Sequence, residues 1–130
     1  MSQALVATYR NVVFLVDTEF DPTRSFAIIT AHNPLGRILT KRENARRNQA
    51  LEGQLTSYSY QTIIGAAPDL SHQEASFAVA CSKQQAIELA LKHEQNAIYW
   101  VEAGRLWLEP VALSFTPIEL GPFSDFLAKV

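Results

Sequence analysis

The segment SFAIITAHNPLGRILTKRENARRN (residues 25–48) contains a strand, a loop and a helix start, and it decides the fold prediction. Its first part, residues 25–30, is a continuous apolar run, which is typical of a strand that is central or covered on both faces. The loop that follows holds an Asn-Pro pair and a glycine, which favour turns. Thr40 and Glu43 form a capping box, so we expect a helix over about residues 41–57.

The rest of the chain extends this unit into a mixed α/β (α+β) pattern. Ala103-Gly104 predicts a tight turn and a hairpin. Ser82 is a candidate N-cap for a second helix, and the expected core contacts of that helix are Ile87, Ala90 and Leu91. The order contains the split βαβ pattern of ferredoxin-like folds, so we predict a two-layer sandwich with extra N- and C-terminal strands. Further strands are predicted at residues 11–16, 60–65, 75–81, 96–101 and 105–108, a second helix at 83–94, and a short terminal helix at about 123–128.

Composition predicts a folded, soluble protein of one domain, residues 1–130. Hydrophobic residues make up 48% and charged residues 18%, which favours a globule over disorder. The net charge of −2 gives no global attraction to nucleic acid or to an anionic membrane. The single cysteine, Cys81, fits a reducing compartment, and the N-terminus has no signal pattern, so a cytoplasmic, bacterial-type protein is expected.

The chain lacks the glycine-rich, P-loop and nucleophile-elbow motifs. Its three histidines are not paired at a metal-ligand spacing, and one cysteine cannot build a zinc cluster. No metal and no cofactor is therefore expected. A Cys81–His93 nucleophile pair is conceivable, but a cysteine late in an apolar strand is usually a small buried hydrophobe.

Polar residues recur where the predicted strands end and the helices start. The N-terminus of the first predicted helix carries a partial positive charge, and Arg47 adds a fork suited to a carboxylate or phosphate. We therefore expect a small anionic ligand, nucleotide-like in its chemistry, at that N-terminus. The candidate ligand-binding residues are Asn33, Asn44, Arg47, Asn48, Glu74, Ser76, Gln95 and Asn96.

A purely structural role for these residues stays open at the level of sequence. Asn44 and Asn48 would then satisfy the backbone of the loop before the helix. Arg47 would pair with Glu74, and Gln95-Asn96 would cap the second helix.

Two other classes of function also stay open. An interaction module for protein or RNA would use the Trp100/Trp107 hairpin or the basic residues Arg37, Lys41, Arg42 and Arg46. Nucleic acid is a less favoured partner than a small ligand, because the basic stretch lacks aromatic residues on which bases could stack. An enzyme would use Glu74 or His32 as acid–base. The late strands are expected to leave a sheet edge with which a second copy could pair, giving a homo-oligomer.

Four short segments, TAHNP, NARRN, EAS and QNA, resemble a bacterial family of uncharacterised proteins, the domain of unknown function 3293. The resemblance covers about residues 26–100 and implies no activity. Members often carry a tryptophan before the E-x-S segment and Phe-Gly before Q-N-A, where this chain has Ser71-His72-Gln73 and His93-Glu94. If those aromatic residues line a site, this protein binds something different or binds less tightly. The matching positions are Thr30, Ala31, Asn33, Pro34, Asn44, Arg47, Asn48, Glu74, Ser76, Gln95, Asn96 and Ala97.

Overall fold

The computed structural model describes residues 3–16 and 24–129, which contain three helices and eight strands. The helices are α1 (Gln3–Arg10), α2 (Lys41–Gly53) and α3 (Lys83–Lys92). The strands are β1 (Val13–Val16), β2 (Phe26–Ile29), β3 (Ser59–Ala66), β4 (Gln73–Ala80), β5 (Ala97–Glu102), β6 (Arg105–Pro110), β7 (Ile118–Pro122) and β8 (Leu127–Lys129). Among the helices of these residues, none has the length and hydropathy of a membrane-spanning segment.

All eight strands form one mixed sheet in the order β7-β6-β5-β2-β4-β3-β1-β8. Neighbouring strands are antiparallel except β1 and β8, which are parallel. The predicted hairpin at Ala103-Gly104 is confirmed, because Glu102 pairs with Arg105 and both turn residues have positive φ. Within the described chain, β7 and β8 are therefore the two edges of the sheet.

Both faces of the sheet bear a buried apolar core. The first core lies under α2 and α3, and the second lies on the opposite face around Phe14, Ile28 and Phe123. Strand β2 contributes Ala27 and Ile29 to the first core and Phe26 and Ile28 to the second, which explains its uninterrupted apolar sequence. The prediction of mixed α/β structure is confirmed. The two-layer sandwich is not confirmed, because the wide, curled sheet is covered on its second face as well.

Helix α2 begins where its capping box predicts. The Thr40 hydroxyl accepts from the Glu43 N–H at 3.1 Å, and the Glu43 carboxylate accepts from the Thr40 N–H at 3.1 Å. The helix then buries one stripe, which is polar in its first two turns and apolar afterwards. The buried residues of this stripe are Asn44, Asn48, Leu51 and, just past the helix, Leu55.

Helix α3 has the predicted Ser82 cap, but its core contacts differ in part from the prediction. Ala86, Leu89 and Ala90 are buried, whereas Leu91 is 52% exposed, so the choice of Leu91 is wrong. Residues three and four positions apart share a helix face, and the stripe that begins at Ala86 includes Leu89 and leaves Leu91 on the solvent side.

The two ends of the chain differ most from the prediction. Helix α1 was not predicted, and the expected terminal helix is instead a short 3-10 turn, Phe123–Phe126, followed by strand β8. Strand β8 pairs in parallel with β1, with Phe14 opposite Leu127. Because that pairing joins residues more than a hundred positions apart, no local pattern could indicate it.

Candidate functional site

Several strand ends meet at one end of the sheet. Strand β2 runs antiparallel to both of its neighbours, β4 and β5, so the residues that leave β2 lie beside those that enter the other two. The end of β3 lies there too, with Ala66 opposite Gln73. A cavity of about 700 Å³ opens at this point. It lies on the sheet face opposite α2 and α3, because Phe14, Ile28 and Tyr99 of the second core line it.

The wall of the cavity is apolar on one side and polar on the other. Helix α1 contributes Ala7, Thr8 and Tyr9, and it is tied to the sheet because the Tyr99 hydroxyl donates to the Tyr9 carbonyl at 2.7 Å. Five of the eight predicted ligand-binding residues are brought together here: Asn33, Glu74, Ser76, Gln95 and Asn96. The other polar residues in the lining are Asn11, Thr30, His32 and His72.

The remaining three predicted residues, all on α2, do not line this cavity. Asn48 joins the segment after β2 to strand β4: its Oδ1 accepts from the Ala31 N–H at 2.8 Å, and its Nδ2 donates to the Ala75 carbonyl at 2.9 Å. Asn44 accepts from the Asn33 N–H at 2.8 Å and donates to the Asn33 Oδ1 at 2.9 Å. Both amides therefore hold the backbone of the loop that forms part of the cavity wall.

Arg47 also serves the backbone of this region. Its guanidinium donates to the Ala31 carbonyl at 2.8 Å and to the His93 carbonyl at 2.6 Å. Its Nη1 forms an ion pair with the Glu94 Oε1 at 3.6 Å. The ion pair with Glu74 that a purely structural role predicted is therefore wrong. Together with the capped helix N-terminus at Thr40, these contacts place α2 behind the cavity wall, away from its open space.

The loop after β2 needs this support because its backbone is unusual. Asn33 and Leu35 both have positive φ, at 46° and 51°, which costs free energy for residues other than glycine. The Leu35 N–H donates to the Glu94 carbonyl at 2.6 Å, and the Asn33 side chain accepts from the Leu39 N–H at 3.0 Å. The loop is thus held in one shape by hydrogen bonds from three directions.

Three titratable side chains gather on the polar side of the cavity. The His32 Nε2 lies 3.9 Å from one Glu74 carboxylate oxygen, and the His72 Nε2 lies 3.4 Å from the other. The two imidazole rings stand edge to face, with centroids 5.8 Å apart. Burial lowers the pKa of His32, while the Glu74 carboxylate raises it and His72 lowers it.

Two tyrosines that line the cavity are influenced by the charge of the same carboxylate. The rings of Tyr9 and Tyr99 pack edge to face at 6.2 Å. Burial is the main cause that raises the pKa of both phenols, and the charge of Glu74 raises them further. Both hydroxyls therefore stay protonated at neutral pH, and that of Tyr99 donates its one hydrogen bond to the Tyr9 carbonyl.

Residues outside the cavity bear on the other predicted functions. Trp100 is buried, which counts against a docking role for its hairpin, whereas Arg37, Lys41, Arg42 and Arg46 are exposed. Burial raises the pKa of Cys81 to about 11, so its thiol is unreactive at neutral pH. The imagined partner, His93, lies 3.1 Å from the Gln54 side-chain oxygen instead.

His93 should make the stability of the protein depend on pH. Burial, and then the charges of Arg47 and Lys92, lower its pKa in the folded state. The unfolded chain therefore takes up a proton first as the pH falls through about 6.5, and the free energy of unfolding falls until folded His93 also titrates. We expect urea denaturation in EDTA buffer to show lower stability at pH 5.5 than at pH 7.5. His93→Gln should shrink this difference, and an unchanged difference would contradict the prediction.

A family model with the description "Protein of unknown function (DUF3293)" matches residues 29–98. That span covers more than half of the chain and contains His32, His72, Glu74 and all eight predicted ligand-binding residues. The chain belongs to the DUF3293 family. No curated protein and no solved structure matches it. In this DUF3293 member, α1, Phe14 and Tyr99 lie outside the matched span although they form the apolar side of the cavity.

Sequence reasoning missed three of the residues that define this DUF3293 cavity: Tyr9, His72 and Tyr99. For His72 a signal existed. Residues two apart on a strand point to the same face, and His72 and Glu74 have that spacing where β4 begins at Gln73. The apolar pattern alone starts this strand at residue 75, which puts the pair in a loop. For Tyr9 no comparable signal exists, because α1 itself was not predicted.

Proposed function

We propose that this protein binds a small organic molecule in the cavity between α1 and the ends of β2, β3, β4 and β5. The observation that carries the proposal is the cavity itself, at about 700 Å³. Sites for small molecules are typically clefts of about 300–1,000 Å³ with mostly apolar walls and a few converging polar groups.

The division of the lining favours a ligand with an apolar body and a polar head. Phe14, Ile28 and Tyr99 would contact the apolar part. The Asn96 side-chain amide makes no hydrogen bond within the described part of the chain, and the Asn33 Nδ2 has no acceptor there either, although both residues line the cavity. Such groups supply orientation and specificity when a ligand satisfies them.

The charge of the lining changes the class of ligand from the one expected. Among the described residues no lysine or arginine lines the cavity, and Glu74 brings a carboxylate. An anionic head would therefore need a cation that the chain does not itself provide. The basic residues of α2 that suggested an anion either hold backbone or face solvent.

We expect a bulky side chain introduced at the wall of the cavity to block the binding of ligands found by screening. Ala7 lines the cavity on the exposed surface of α1, so Ala7→Trp should block it without disturbing a core. Fragments with an aromatic ring and an amide or alcohol group would be screened by ¹H–¹⁵N NMR. Their dissociation constants should rise at least about 10-fold in Ala7→Trp, because filling the space removes most of the apolar contact.

Ala4→Trp is the matched control, because Ala4 is also exposed on α1 and does not line the cavity. Asn96→Ala should weaken binding about 5–10-fold, the usual worth of one hydrogen bond. If no fragment binds at millimolar concentration, the proposal is wrong. It is equally wrong if Ala7→Trp and Ala4→Trp bind the fragments alike.

An enzyme is the second candidate function, and one observation favours it. His32 and Glu74 lie 3.9 Å apart and both line the cavity, so either could exchange a proton with a bound molecule. A docking role for the exposed basic residues has no comparable support.

We also propose a ferredoxin-like unit within the sheet and a cytoplasmic location. The central strands, in the order β5-β2-β4-β3 with antiparallel pairing and with α2 and α3 on one face, favour a ferredoxin-like unit inside the larger sheet. The lone cysteine favours the cytoplasm as the place where the protein works.

A further inference from the structure

The cluster of His32, His72 and Glu74 has the chemistry of a metal site. Each residue offers one ligand atom, and these atoms all lie within 4.8 Å of one another. Two imidazoles and a carboxylate are a ligand set that proteins use for divalent transition metals, including catalytic zinc. Sequence spacing alone argued against a metal because His32 and His72 are forty positions apart. The antiparallel pairing of β2 with β4 brings the two residues close together in space.

The backbone around the cluster is fixed by a network centred on Thr30. The Thr30 hydroxyl donates to the Ala75 carbonyl at 2.7 Å and accepts from the His32 N–H at 3.1 Å. It therefore ties the segment that carries His32 to the strand that carries Glu74. The Gln95 side chain donates to the His32 carbonyl at 3.2 Å and holds the segment from the other side.

His72 completes the cluster from the β3–β4 connection. It lies just before β4, two residues from Glu74, and its Nε2 approaches a Glu74 carboxylate oxygen to 3.4 Å. Its carbonyl accepts from the Ala67 N–H at 2.9 Å, which anchors its backbone, while its side chain is 57% exposed and free to adjust. Around a tetrahedral zinc ion the ligand atoms lie about 3.3 Å apart, so the observed separations need only a small closure of such an adjustable side chain.

We propose that His32, His72 and Glu74 bind one divalent transition-metal ion of the zinc class at the polar side of the cavity. Three protein ligands leave at least one coordination position open, and the cavity is the space beside it. The ion would supply the positive charge that the lining lacks. A ligand with a carboxylate or another oxygen donor could then bind there. The proposal stands on the cluster alone and does not require the proposed small-molecule function.

The test is a titration of the full chain, without an affinity tag and freed of metal with EDTA. Co²⁺ serves as the spectroscopic probe, because its visible absorption develops when protein ligands replace water. We expect one equivalent of Co²⁺ to bind and one equivalent of Zn²⁺ to displace it. His72→Asn and Glu74→Gln should each weaken Zn²⁺ binding at least about 100-fold, since even changes outside the ligand shell cost about 10–100-fold.

Two variants serve as controls for these substitutions. Glu88→Gln changes an exposed carboxylate on α3, and His93→Gln changes an imidazole that lies outside the cavity. Both should keep the wild-type affinity for Zn²⁺. Because His72 is an exposed side chain, His72→Asn should fold, which circular dichroism would verify.

Three results would overturn the proposal: no stoichiometric binding of Co²⁺ or Zn²⁺ to the wild type, binding that survives both His72→Asn and Glu74→Gln, or equal weakening by the control variants. The outcome is separate from that of the fragment screen. Fragments blocked by Ala7→Trp in a protein that binds no metal would leave the proposed function in place. Metal binding without any fragment binding would leave only the metal site.

Discussion

Replacing Asn48 with alanine should lower the free energy of unfolding by about 2–4 kcal/mol. The side chain is 8% exposed and bridges the Ala31 N–H and the Ala75 carbonyl. Alanine removes both hydrogen bonds and leaves a buried N–H without a partner at Ala31, which is fully buried. A net loss of about 1 kcal/mol for each bond, plus the cost of the unpaired donor, gives the expected range. Urea denaturation followed by circular dichroism would measure it.

Gln49→Ala is the matched control for Asn48→Ala. Gln49 is the next residue of α2 and is exposed, so its substitution should change stability by no more than about 0.5 kcal/mol. An equally small effect of Asn48→Ala would show that its amide is not needed by the backbone. The residue would then return to the list of ligand contacts that its sequence context suggested.

Asn48 also shows why the site could be predicted only in part. An asparagine on the buried stripe of a helix must have a polar partner, and the sequence indicates that much. It does not indicate whether the partner is a ligand or the main chain. Here α2 packs against the exits of β2 and the entry of β4, so the nearest polar groups are the carbonyl and N–H groups of those segments.

Asn33, Glu74 and Asn96 were predicted from the same kind of reasoning and do line the cavity. Their position follows from strand order, because β2 lies between β4 and β5. The sequence predicted the strands but could not by itself fix their order. Strand order also brings His72 to the cluster. His72 was not predicted because the predicted start of β4, residue 75, lies two residues after the observed start at Gln73.

The fold could be predicted where the pattern is local and strong. The capping boxes at Thr40 and Ser82 fix the starts of α2 and α3, and the apolar run in β2 indicates a strand buried on both faces. Helix α1 is only eight residues long and has no acidic residue in its first turn to mark its start. Strand β7 pairs with the preceding strand β6 through a register shift and ends in Gly-Pro, and β8 has just three residues and pairs with β1 from the other end of the chain. Their conformation comes from tertiary contacts that override local preference.

The second large effect is expected at the floor of the cavity, where Phe14→Ala should lower the free energy of unfolding by about 3–5 kcal/mol. Phe14 is 1% exposed and packs edge to face on Tyr99, with ring centroids 5.1 Å apart. It also packs against Phe123, with ring centroids 5.9 Å apart. Alanine would remove the contact that joins β1, β5 and the C-terminal turn, and the lost volume would merge with the existing cavity, so the neighbours have little chance to close over it.

Phe126→Ala is the control for this substitution. Phe126 lies at the margin of the same core and is only half-buried, so its loss should cost about 1–2 kcal/mol. The two variants would be compared by urea denaturation. The comparison requires that the free energy of unfolding fall with urea concentration at the same slope in both. Equal costs for Phe14→Ala and Phe126→Ala would mean that the second face of the sheet is loosely packed. A loosely packed face could not hold α1 in place, and the cavity between α1 and the sheet would then lack the fixed shape that selective binding requires.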